Sequence, residues 1–250
     1  WQWPVHSREE ARREVRHYLR KIQADYEQPD VTIRPLTVEG EAASVIVDTA
    51  VAEEVDLIVM SSHGWSGRSR WSLGGITERV LDSTHVPVLV VRTKEPLKHL
   101  LIALDGSKLA EQSLAWGLEV ARRTGARITL FRANEPVILD QPPTYVFDWE
   151  QTEVGRRWRN RTHEEALLYL EDIRQDVEKE GLVVQTAVMD GPTVETMMDY
   201  VAYNPAQLIV MTTHGRSGLR RWLYGSVTAK VLRSSDCSML IIRPPAEALY

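Results

Sequence analysis

The amino-acid sequence repeats itself. Moved forward by the distance from Gly40 to Gly191, 151 residues, the first part of the chain lies on the second without a gap. Met60 meets Met211, His63-Gly64 meets His214-Gly215, Gly67 meets Gly218, Trp71 meets Trp222, Gly74 meets Gly225 and Thr77 meets Thr228. Even Tyr18 and Leu19, far upstream, meet Tyr169 and Leu170. So long a gapless register marks a tandem duplication, and it constrains the fold: both copies must accept the same local structure.

The second copy carries the fuller pattern. Leu100–Leu104 is an apolar strand, Ser107 caps a helix running through Arg123 to a terminating Gly125, and Arg127–Arg132 is another strand. Asn134 to about Glu153, with three prolines, reads as a surface loop. A helix over Trp158–Glu180, a strand over Leu182–Val188 and a helix opened by Gly191-Pro192 follow, the last with Val194, Met197, Met198 and Val201 on one face. Leu208–Met211 and Met239–Ile242 are the closing strands, on either side of a helix that starts at Ser226. Strands alternating with helices predict a doubly wound parallel sheet, so the fold class is α/β.

The first copy predicts a helix over 7–28, a β-rich segment Val31–Val38, a helix carrying Ala43, Ile46, Val47 and Ala50, a strand Leu57–Met60, a helix Gly74–Ser83 and a strand Val88–Val91. Nothing in it corresponds to Leu100–Phe131. The first strand, first helix and second strand are therefore missing from residues 1–96, while 97–250 form a complete second domain. Because the chain begins at Trp1 without a methionine, the gap is read as truncation.

Composition narrows the function. A net charge of −5 leaves no basic excess to neutralise a phosphate backbone, which argues against a nucleic-acid partner. No apolar run reaches membrane-spanning length and no signal peptide is evident, so no membrane association is expected. Cys237 is the single cysteine, so neither an intrachain disulfide nor a cysteine-built zinc site can form, and a reducing cytoplasm is the simplest location.

The chemistry concentrates in Met211–Thr228. A buried strand runs into a glycine-bearing loop and then a new helix, so that free backbone N–H groups and the positive end of a helix dipole converge. That arrangement holds phosphate. Open α/β sheets bind ligands outside the carboxyl ends of their strands, where the chain switches direction, which places a site between the strands ending at Leu104 and Met211.

The strand-end Asp105, the Met-x-x-His-Gly turn and the Gly-Ser nine residues beyond that turn resemble the universal stress protein family, over essentially the whole chain taken as two copies. The family signature is Gly, two residues, Gly, nine residues, Gly, then Ser or Thr. Gly215, Gly225 and Ser226 match it, with Thr212 in place of the first glycine. In the first copy Gly64 and Gly74 match, Ser61 replaces the first glycine, and Gly75 stands where a hydroxyl belongs. The resemblance implies two tandem flavodoxin- or Rossmann-like domains, each built on a mostly parallel five-stranded sheet, binding ATP, ADP or AMP with or without magnesium. It implies that Asp105 accepts hydrogen bonds from ribose or base, that Ala103, Leu104 and Ala133 line the adenine with Met211 against it, and that Thr212, His214, Gly215, Gly225, Ser226, Val227 and Thr228 surround the phosphates. Met60, Ser61, His63, Gly64, Gly74, Gly75, Ile76 and Thr77 are the corresponding positions of the first copy. It also implies that the last strands, Val88–Val91 and Met239–Ile242, pair antiparallel, with one another as an intramolecular pseudo-dimer or with a second chain as a homodimer.

A binding or regulatory module is expected rather than an enzyme, because no nucleophile–base pair and no carboxylate cluster for magnesium is evident. The alternatives are a nucleotide-free scaffold working through protein contacts, and a weak ATPase or autophosphorylating protein using Ser226 or Thr228. Gly215-Arg216-Ser217-Gly218-Leu219 lacks the second glycine of a hydrolase elbow. His85, His99 and His163 show no ligand spacing.

Overall fold

The computed structural model describes residues 8–62, 74–135, 152–213 and 225–243. The first copy supplies α1 (Arg8–Tyr26), α2 (Ala42–Ala52), β1 (Ile58–Ser61), α3 (Gly75–Ser83) and β2 (Val88–Val91). The second supplies β3 (His99–Ala103), α4 (Lys108–Thr124), β4 (Arg127–Asn134), α5 (Glu153–Glu178), β5 (Val184–Asp190), α6 (Thr193–Tyr203), β6 (Leu208–Thr212), α7 (Ser226–Ser234) and β7 (Ser238–Ile242). Ser107 caps α4 as expected, accepting the Ala110 N–H at 3.1 Å, and the helix ends at a left-handed Gly125. The equivalence of the copies survives in three dimensions: α2 and α6, and α3 and α7, occupy matching positions residue for residue.

One seven-stranded sheet runs through both copies in the order β1-β2-β7-β6-β3-β4-β5. Every neighbouring pair is parallel except β2–β7. Central strands read as continuous apolar runs because both faces are covered, and all five residues of β6 and of β7 are buried. On one face Leu101, Phe131, Ile209 and Met239 pack with Met197 of α6 and Leu232 of α7. On the other, Leu100, Ile102, Leu130 and Val210 pack with Leu118 of α4 and Leu170 of α5. Full burial of each such side chain contributes about 1.5–3 kcal/mol before the entropy cost.

The last strands of the two copies pair with one another. The register is centred on Leu89 opposite Leu240, which are themselves equivalent in the repeat, so a local two-fold axis passes between them. The flanking arginines obey it. Arg92 Nη1 donates to the Ser235 carbonyl, and Arg243 Nη1 donates to the Thr84 carbonyl at 3.1 Å. Each copy thus ties down the helix end of the other, which is the reciprocity of an isologous dimer interface built within one chain.

The Val31–Val38 segment is not a strand. Val31 makes one antiparallel bridge to Gln28, and residues 32–39 have no regular structure. The reason lies in its equivalent: β5 is a strand because β4 lies beside it from Ile128–Val184 to Asn134–Asp190. Among the described residues no strand lies beside 31–38, so its β-branched residues have no ladder to join. Leu57 and Leu89 line an apolar cavity of about 370 Å³ together with Trp116 and Val120 of α4. Val59 on the outer strand is 58% exposed. α5 begins at Glu153, ahead of the predicted Trp158, because Thr152 caps it by accepting the Gly155 N–H at 3.1 Å.

Candidate nucleotide crevice

The chain changes direction between β3 and β6. From β3 it passes through α4 on one face to β4, and from β6 through α7 on the other face to β7. In open sheets of this kind the helices part at the carboxyl ends of such neighbouring strands, which makes this end of β3 and β6 the candidate crevice. Ala103 ends β3, and the Leu104 N–H then bonds the Phe131 carbonyl at 2.9 Å, which carries the strand direction up to Asp105. Asp105 Oδ1 accepts the Ser107 N–H at 2.9 Å, bending the chain into α4 and fixing the carboxylate at the mouth.

Opposite, α7 rises from the end of β6. Its hydrogen-bond ladder begins with Ala229 N–H to the Gly225 carbonyl at 2.9 Å, so the N–H groups of Ser226, Val227 and Thr228 have no acceptor within the helix. Two bonds fasten this helix start to the strand end. Thr228 Oγ1 donates to the Thr212 carbonyl at 3.1 Å, and the Gly225 N–H donates to the Thr213 carbonyl at 2.7 Å. Gly225 is required by the strand end itself. A Cβ there would collide with the Thr213 carbonyl oxygen, so the glycine closes the base of the loop before any anion is considered.

The structure sorts the predicted residues by face. Ala103, Ala133, Met211 and Val227 lie together on the α6–α7 side. Leu104 does not join them: its side chain is buried in the α4–α5 core, since strand alternation carries it to the opposite face from Ala103. Thr212 is the buried last residue of β6 and sits in register with Ile242. His214 and Gly215 lie outside the described residues, as do His63 and Gly64.

In the first copy Met60, Ser61, Gly74, Gly75, Ile76 and Thr77 reproduce the strand-to-helix half of the crevice. Thr77 Oγ1 donates to the Ser61 carbonyl at 3.2 Å, and the Gly74 N–H to the Ser62 carbonyl at 2.9 Å. The other half is missing, because among the described residues no strand lies beside β1 on its outer edge.

Motif reasoning missed two polar clusters. One joins Arg132, Tyr169 and Glu111 under the Asp105 turn; its signal was an arginine closing an apolar strand. The other surrounds His99, which is 2% exposed at the amino ends of the strands, away from the crevice. Its Nδ1 lies 2.9 Å from the Pro205 carbonyl and its Nε2 2.8 Å from Thr129 Oγ1. Burial holds its pKa below the usual histidine range, with Arg127 acting in the same direction, so it is a neutral structural group. Cys237 is buried with its thiol on the Ala206 carbonyl, and burial pushes its pKa up, which keeps it protonated and unreactive.

Comparison with known proteins agrees with the duplication. A model of the universal stress protein family matches residues 2–92 and again 96–243. The chain belongs to the universal stress protein family. Universal stress protein YxiE of Bacillus subtilis is 24% identical over 144 residues, covering 58% of this chain and 97% of that protein. Universal stress protein Rv2005c of Mycobacterium tuberculosis is 26% identical over 219 residues, covering 84% of this chain and 70% of its own length. Among solved structures, a universal stress protein from Archaeoglobus fulgidus superposes with a TM-score of 0.65 at 21% identity, covering 94% of this chain and 78% of that one, which supports the Rossmann-like fold. No helix among the described residues is long and apolar enough to cross a membrane.

Proposed function

We propose that this universal stress protein is a regulatory module that binds an adenine nucleotide, ATP, ADP or AMP, in the crevice of its second copy. The observation carrying this reading is the run of N–H groups at the start of α7 that the helix ladder leaves without an acceptor, on the same side of the sheet as Ala103, Ala133 and Met211. The residues fit the ligand's parts. Ala103, Ala133 and Met211 suit a purine, Asp105 suits ribose or base hydroxyl and amine donors, and the N–H groups of Ser226, Val227 and Thr228 suit phosphate oxygens. A micromolar complex needs about 8 kcal/mol. One helix start contributes at most ~2 kcal/mol, so the individual hydrogen bonds and purine burial supply the rest. Magnesium would arrive with the nucleotide, since no group of three or more His, Cys, Asp or Glu among the described residues could hold a metal. Titration calorimetry with ATP tests the reading, and absence of saturable binding at millimolar ATP defeats it.

The nucleotide would act as a signal rather than a substrate. One observation favours keeping a second reading, slow autophosphorylation. Thr228 is buried and spends its hydroxyl on the Thr212 carbonyl, whereas Ser226 is exposed at the helix start. The phosphoacceptor in that case is Ser226, and incubation with γ-labelled ATP followed by Ser226→Ala distinguishes the two readings.

A further inference from the structure

The cluster beneath the Asp105 turn belongs to none of the roles above. Ile128 and Leu130 of β4 point toward α4 and α5, and strand alternation puts Arg132 on the same side. Its guanidinium carbon stands 5.1 Å from the centre of the Tyr169 ring on α5. On its other side it underlies Gly106, so closely that a Cβ there would be 2.9 Å from Nη1. Gly106 also holds φ at +85°, a conformation few other residues adopt. Tyr169 donates its hydroxyl to Glu111 Oε1 at 3.3 Å, and the Glu111 N–H bonds the Ser107 carbonyl at 3.2 Å in the first turn of α4. Burial first, and then the Glu111 charge, raise the Tyr169 pKa, so the hydroxyl keeps its proton. A closed ring of contacts thus runs from α5 through β4 and the turn into α4 and back.

We propose that Arg132, stacked on Tyr169 beneath Gly106, is a positioning residue that holds the Asp105–Ser107 turn in the shape presenting the Asp105 carboxylate to the nucleotide. The inference rests on the nucleotide reading of this crevice. A planar guanidinium can stack on one side and support a backbone on the other, which a lysine cannot do equally well. Tyr18, the equivalent of Tyr169 in the first copy, is 58% exposed and makes no such stack among the described residues.

The test uses the full chain with Arg132→Gln, Arg132→Lys and Tyr169→Phe, reading two quantities. Amide hydrogen exchange at Gly106 and Ser107 in nucleotide-free protein is expected to quicken about tenfold in Arg132→Gln, with core amides unchanged. ATP affinity is expected to fall about tenfold, with partial recovery in Arg132→Lys and a smaller loss in Tyr169→Phe. In an Asp105→Asn background Arg132→Gln is expected to cost nothing further, because the carboxylate it positions is gone. Unchanged exchange with unchanged affinity, or losses that simply add in the double variant, overturn the proposal while the nucleotide reading stands. Wild-type protein that binds no ATP overturns both. If Arg132→Gln fails to fold, Tyr169→Phe decides by the same two readouts.

Discussion

In both copies a threonine in the first turn of a helix ties its hydroxyl to the carbonyl of the last strand residue, at 3.2 Å for Thr77 to Ser61 and 3.1 Å for Thr228 to Thr212. In both, the glycine just before that helix donates its N–H to the carbonyl of the residue that follows the strand. The two devices are alike, yet among the described residues only the second has a strand on both sides of it. β6 has β3 and its Asp105 turn beside it, whereas β1 is the outermost strand. The difference teaches that a helix start of this kind is set by local sequence, whereas its surroundings are not. Local sequence sets the donors, but the apolar wall opposite the proposed site comes from strands remote in the chain.

The comparison can be broken most forcefully at the loop base. Gly225→Ala forces a Cβ into the Thr213 carbonyl and is expected to cost about 3 kcal/mol and abolish ATP binding, seen by thermal melting and calorimetry. Gly75→Ala, where an added Cβ meets nothing within 4 Å, is expected to leave the melting point unchanged or slightly raised. A collapse of both variants, or of neither, would remove the asymmetry claimed between these glycines.

Next in size come the threonine ties. Thr228→Val and Thr77→Val keep the shape, and each is expected to lose about 1 kcal/mol of stability in urea titrations. Only Thr228→Val should also weaken ATP binding, so equal ATP losses would show that the first copy contributes to the site. Smaller still is the hydroxyl exchange. Ser226→Gly is expected to weaken ATP binding by a few fold, on the order of 1 kcal/mol. Gly75→Ser, which restores the family hydroxyl to the first copy, should create no second site. A stoichiometry of two in Gly75→Ser would contradict the view that the missing wall is what disables that copy.

The mildest effect is on pH dependence, and it arises in the second copy, at His99. Its folded pKa is lowered, chiefly by burial. The unfolded chain therefore takes up a proton near pH 6.5 that the folded chain refuses, so its stability contribution is full above about pH 6.5 and declines as the pH falls below it. Urea midpoints measured from pH 8 to pH 5 should fall over the acid part of the range, and His99→Asn should flatten that slope.

Much of this was legible in the residues. The duplication, the capped α4 between Ser107 and Gly125, the buried strands and the strand–loop–helix of the site all depend on near neighbours in sequence, where periodicity and capping chemistry act directly. The pairing of Val88–Val91 with Met239–Ile242 was also anticipated, with the choice of partner left open. Less legible was anything that needed a second segment for its meaning. Val31–Val38 has β-forming residues but no strand beside it, and Leu104 follows Ala103 in sequence yet faces the opposite core. Gly225 is needed for the Thr213 carbonyl, which a spacing rule cannot reveal.

By itself, then, the sequence determined that this chain holds two copies of one device, because a register of glycines, tryptophans and threonines needs no coordinates to be read. The tertiary structure decided that the copies close on each other about Leu89 and Leu240, and that among the described residues β6 but not β1 lies between two strands. The physical reason is range. Helix starts and caps are made by bonds between residues a few positions apart, whereas a crevice needs strands brought side by side from β3, β4 and β6, and its support needs Arg132 and Tyr169 to meet from elements far apart in the chain.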